Sequence, residues 1–157
     1  MRSTYLFILT IGILLLFMGA CDKSMVFDEF HHISDGSWGW DEKLEFEVEA
    51  VDTSILYDML INLRHSTDYP FSNLYMFVHV SGPSGQSLTD TINFRLAENS
   101  GKWLGKGLGN SREIGFLYRK NTAFPQSGKY HFVIEQAMRQ PEIPVTEVGL
   151  RIEKHTP

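Results

Sequence analysis

"KLEFEVEAV", residues 43–51, alternates without a break: Leu44, Phe46, Val48 and Ala50 share one side, and Lys43, Glu45, Glu47 and Glu49 the other. A period of two sends neighbouring side chains to opposite faces, so this stretch reads as a strand with one face buried and one wet. The next segment, "ILYDMLINLRH" (55–65), repeats the pattern through Tyr57, Met59, Ile61 and Leu63. Leu56 and Leu60 would also allow a helix there; the alternation favours a strand. A short Asp52-Thr53-Ser54 turn separates the two.

Further along, "NLYMFVHVS" (73–81) is aromatic and β-branched and closes on the turn signal "GPSG". "SLTDTINFRL" (87–96) puts Leu88, Asp90, Ile92, Phe94 and Leu96 on one face and Thr89, Thr91, Asn93 and Arg95 on the other. "GFLYRK" (115–120), "GKYHFVIEQAMR" (128–139) and "VTEVGLRIEK" (145–154) complete the set, the last two parted by a loop holding Pro141 and Pro144. No span joins helical periodicity to helix caps. Short strands with a turn every 8–12 residues predict an all-β fold, a single antiparallel β-sandwich of jelly-roll or immunoglobulin type with about seven to eight strands. Phe46, Val48, Ile61, Phe77, Ile92, Phe132, Ile134 and Leu150 are the expected inter-sheet core.

Upstream lies a different kind of sequence. After Arg2, an apolar run from Tyr5 to Phe17 is broken only by Thr10 and Gly12, which suits a signal-peptide core and falls short of the ~20 residues that span a bilayer. It ends in "LLLFMGACDK" (14–23), where Met18-Gly19-Ala20-Cys21 resembles the lipobox of bacterial lipoproteins. Small residues before the cysteine let an extended chain enter the peptidase cleft, and only a thiol can take the thioether-linked diacylglycerol. The expected organisation is a lipoprotein signal peptide over residues 1–20, a lipidated tether and lead-in over 21–41, and the sandwich over 42–157.

Removing the first 20 residues leaves 137, with 13 Lys and Arg against 19 Asp and Glu, a net charge of −6 with His neutral. That is one domain of ordinary size. It is acidic, whereas a nucleic-acid partner would call for a basic patch. With Cys21 taken up by lipid no thiol remains for disulfides, thiol catalysis or cysteine-ligated metal.

"SGKWLGKGLGNS" (100–111) is rich in glycine but is not a phosphate-binding loop: Gly101 and Gly105 are four apart, and Lys106 precedes Gly107 where Ser or Thr is required. It reads either as a long inter-strand loop in which glycine supplies positive φ, or as a contact surface presented by Lys102, Trp103 and Lys106. The six histidines form no H-x-H or H-x-x-x-H pair, and His31 and His32, being adjacent, point to opposite faces of any strand. No metal site, no cofactor and no catalytic residue is expected, since neither a G-x-S-x-G elbow nor an S-x-x-K motif occurs. Trp38, Trp40, Tyr69, Phe71, Tyr75 and Trp103 lie mostly in or beside loops, where they either seal the ends of the sandwich or offer rings to a sugar or a protein partner.

Taken with the lipobox, "YPFSNLYMFV" (69–78), "DTINFRLAE" (90–98), "GKWLGKGLG" (101–109), "YHFVIEQAMR" (130–139) and "VGLRIEK" (148–154) resemble the GldH family of gliding-motility lipoproteins of the Bacteroidota. The resemblance runs over nearly the whole chain after Cys21. It implies a non-enzymatic envelope lipoprotein tied to gliding motility and type IX secretion, anchored through lipid at Cys21. It further implies an outer-membrane position facing the periplasm, with other envelope lipoproteins as partners. The family carries no catalytic residues to this chain. A glycan-binding sandwich is the alternative, and it requires two or three exposed aromatic rings with polar groups at their edges.

Overall fold

The structure is a computed structural model, and it describes residues 24–156. Ten strands follow one another, with no helix among the described residues: β1 (Met25–His32), β2 (Trp38–Gly39), β3 (Leu44–Ala50), β4 (Tyr57–Ser66), β5 (Asn73–Ser81), β6 (Ser87–Arg95), β7 (Ser111–Thr122), β8 (Gly128–Gln136), β9 (Glu142–Ile143) and β10 (Val145–Lys154). Two four-stranded antiparallel sheets result, ordered β1-β10-β4-β7 and β3-β8-β5-β6, with the short β2-β9 ribbon beside them. Among the eight long strands every connection crosses from one sheet to the other except the β5–β6 hairpin, and that alternation is the jelly-roll topology.

Alternation makes each strand two-faced, and burial of the apolar faces makes the core. β3 and β4 show it most cleanly, every second residue being buried from Leu44 to Ala50 and from Tyr57 to His65. Phe46, Val48, Ile61, Phe132, Ile134 and Leu150 all lie between the sheets, at 1% exposure or less. Phe77 does not: it is 38% exposed. Ile92 is half-buried, sits opposite the inward Met76 and packs against the core. β5 is apolar on both faces, so its pattern carries no register; pairing with β8 turns Leu74, Met76 and Val78 inward and leaves Tyr75 and Phe77 outside.

The lead-in is also corrected. Residues 24–41 do not simply precede the sandwich, because Met25–His32 pairs along β10 as an edge strand, and Ile33 and Trp38 are buried. β1 shows no alternation that would reveal this, being mostly exposed. Its docking depends on a residue far downstream: the Phe30 ring lies over Gly149, where a Cβ would come within 2.6 Å of it. Any side chain at 149 would displace that ring. Cys21 lies outside the described residues.

The sheet has two poles. At one, the Lys154 N–H donates to the Ser24 carbonyl, Lys154 pairs with Tyr57, and Tyr57 pairs with Thr122. At the other, Ser66 pairs with Ser111. The ten residues of β4 between them put the poles about 30 Å apart.

Candidate functional site

The glycine-rich loop closes the second pole, and it is firmly held. Lys106 and Glu113 exchange backbone hydrogen bonds of 2.9 and 2.7 Å. Leu104 N–H donates to the Leu96 carbonyl, and Asn110 accepts from Thr67 N–H. Two of its glycines are explained by close approach. A Cβ on Gly105 would sit 2.8 Å from the Glu113 carbonyl oxygen, and one on Gly107 would sit 2.2 Å from that of Ser111. Only bare backbone can lie so near β7.

With that path fixed, alternate residues face outward. Lys102, Leu104, Lys106 and Leu108 are exposed, Leu104 at 43% and Leu108 at 92%. Trp103 turns the other way. It bridges to Ala97, is half-buried against the core and meets the His65 ring edge-on at 4.7 Å. Of the three residues singled out in this loop, Lys102 and Lys106 therefore lie on the surface while Trp103 clamps the loop from beneath. Leu104 and Leu108 escaped the sequence reading because an apolar residue next to glycine carries no face until the backbone path is known.

His65, under Trp103, is fully buried. Its Nδ1 donates to the Ser66 carbonyl at 2.9 Å, while Nε2 finds no partner among the described residues. Burial disfavours the imidazolium, and the Arg112 guanidinium adds to this against the opposing Ser66 hydrogen bond, so His65 titrates below its ordinary value. The other histidines are dispersed. His31 packs edge-on against Phe46, His32 lies beside Glu147, His79 bonds Thr89, and His155 bonds Asp58. No three potential metal ligands converge among the described residues.

The loop aromatics divide. Trp38 and Tyr69 are buried, Trp38 donating to the Glu42 carbonyl and Tyr69 to that of Asn73. Those two seal the sandwich. Trp40 and Tyr75 stay exposed and converge on Met138, Trp40 Nε1 donating to its carbonyl at 2.8 Å and the Tyr75 N–H to its sulfur at 3.2 Å.

A third cluster links the two sheets at their β6 and β7 edges. Tyr118 donates to Asp90 at 2.6 Å, Arg119 pairs with the same carboxylate oxygen, and Phe94 stacks on Phe116 at 4.2 Å. Burial alone would raise the Asp90 pKa; hydrogen bonds from Tyr118 and Arg119 and the guanidinium charge outweigh it and hold the carboxyl below its usual range. Burial pushes Tyr118 up to about 12. The sequence carried one hint of this cluster, a carboxylate on the inward row of "SLTDTINFRL".

A two-sheet jelly roll behind a lipobox is the architecture of an exported, lipid-anchored β-sandwich protein. The profile of the GldH lipoprotein family matches residues 25–152, from the first strand almost to the end of the last. A gliding motility lipoprotein GldH homolog of Christiangramia forsetii is 36% identical over 160 residues, covering 97% of this chain and 95% of its own. The gliding motility lipoprotein GldH of Flavobacterium johnsoniae is 34% identical over 155 residues, covering 94% of each. This chain belongs to the GldH lipoprotein family. Among solved structures, the Tobacco streak virus coat protein shares 9% identity over 89% of this chain and 91% of its own at a TM-score of 0.28, too distant to bear on function.

Proposed function

We propose that this lipoprotein is a non-enzymatic assembly or structural component of the gliding motility and type IX secretion machinery. On this reading it is anchored through lipid at Cys21 in the outer membrane facing the periplasm, and it binds another envelope protein. The observation that carries the binding role is the pinned loop. An acidic domain displays two lysines and two leucines on one short excursion, and it does so at the pole about 30 Å from the end where the chain enters the sandwich. A partner that meets this surface is acidic around an apolar centre. Because the glycines and Trp103 already fix the backbone, little conformational entropy is lost when the partner binds. Family membership supports the envelope setting.

The test is a membrane pull-down with a Lys102→Glu/Lys106→Glu protein, read beside a melting curve. Melting should match the parent and capture should fall about tenfold, near 1.4 kcal/mol. Undiminished capture of every partner would remove this loop from the reading. The glycan-binding alternative has its own support in Trp40 and Tyr75, exposed together around Met138. A glycan-array signal abolished by Trp40→Ala would favour it.

A further inference from the structure

At the first pole, between the β6 and β7 edges, the sandwich opens into a cleft of ≈ 260 Å³. Met59, Val80, Leu88, Phe124 and Phe132 give it an apolar lining. Cavities of about 150 Å³ with walls of this kind already hold benzene, so a ring or a short length of hydrocarbon fits here. Polar groups also stand in the wall, among them Arg119, whose Nε is buried and has no hydrogen-bond partner among the described residues. Neither the proposed contact loop nor the packing of the core gives the cleft a role.

Its position supplies one. Ser24, Lys154, Tyr57 and Thr122 form a single row across the sheet, and Thr122 lines the cleft. Three strand spacings of about 4.8 Å put Ser24 roughly 14 Å from it. Cys21 precedes Ser24 by three residues, a reach of at most about 11 Å. A lipid on Cys21 thus keeps this pole, and not the loop pole, at the bilayer surface. The same pole carries exposed apolar side chains outside the cleft: Met25, Val26, Val51 and Leu56, with Val51 at 79%. A monomer surface rarely gathers such residues without something to cover them.

We infer that this pole rests on the membrane and that the cleft takes the end of one acyl chain of a bilayer phospholipid. The inference rests on the lipid-anchored reading of Cys21, and its test separates the two. The processed, full-length lipoprotein is reconstituted into phosphatidylethanolamine and phosphatidylglycerol vesicles containing a phosphatidylethanolamine with a diazirine at its acyl end. After irradiation, labelled peptides are mapped by mass spectrometry, and the mass of the N-terminal peptide reports the anchor independently. Label should favour peptides spanning residues 80–88 and 119–132 over the loop at 102–108 by about tenfold. Val80→Trp, which fills the cleft, and Gln86→Trp, at its exposed rim, should each abolish most of that label, the second without shifting Tm. Label spread evenly over the surface, absent from the cleft peptides, or indifferent to Gln86→Trp would overturn the inference.

Discussion

His65 is a titratable group that folding keeps neutral, and the sign of its effect on stability follows. Its pKa in the folded chain lies below 6.5, so just below that pH the unfolded chain binds a proton that the folded one refuses. Its contribution is intact above about 6.5 and is lost as the pH falls through that value. His65→Phe keeps a ring under Trp103 and removes the titration. Chemical denaturation between about pH 7 and pH 5 should show a stability slope shallower than the parent's, by as much as ~1.4 kcal/mol per pH unit. An unchanged slope would assign the acid sensitivity to other groups. Trp103 belongs to the same cluster, which is why the loop keeps its shape with four glycines in nine residues.

Elements behave differently according to how much of their fate is local. β3 and β4 have one apolar face each, and a one-residue slip would bury a row of charges or polar groups, so their pattern alone sets their register. β5 has two apolar faces and no such penalty. Its register makes a sharp prediction. Met76→Ala, fully buried, should cost about 2–5 kcal/mol, whereas Phe77→Ala on the outer face should stay within about 1 kcal/mol. Two urea titrations decide it; equal losses would refute the observed register. β1 is the opposite case, a mostly exposed edge strand whose place depends on the bare Gly149 under Phe30.

At the scale of the molecule, the jelly roll gives one end to the anchor and the other to the loop. Among the described residues the buried core begins at Ile33 and the first pairing at Met25, both downstream of the cysteine. Cys21→Ala should therefore release the domain from sedimenting membranes while leaving its melting temperature unchanged. A mutant that is still cleaved before residue 21 and still sediments with membranes would disprove anchoring at this residue. Phe132→Ala, at the centre of the core, should do the reverse, costing about 3–5 kcal/mol with membrane attachment retained. The identity of the seven long strands after β1, the inward rows of β3, β4 and β6, and the family resemblance were legible along the chain, because alternation and short motifs are local properties. The pairing of residue 25 with residue 153, the outward turn of Leu104 and Leu108, and the meeting of Asp90 with Arg119 were not. Each joins segments whose separate sequences hold no record of one another, so only packing of the two sheets could decide them.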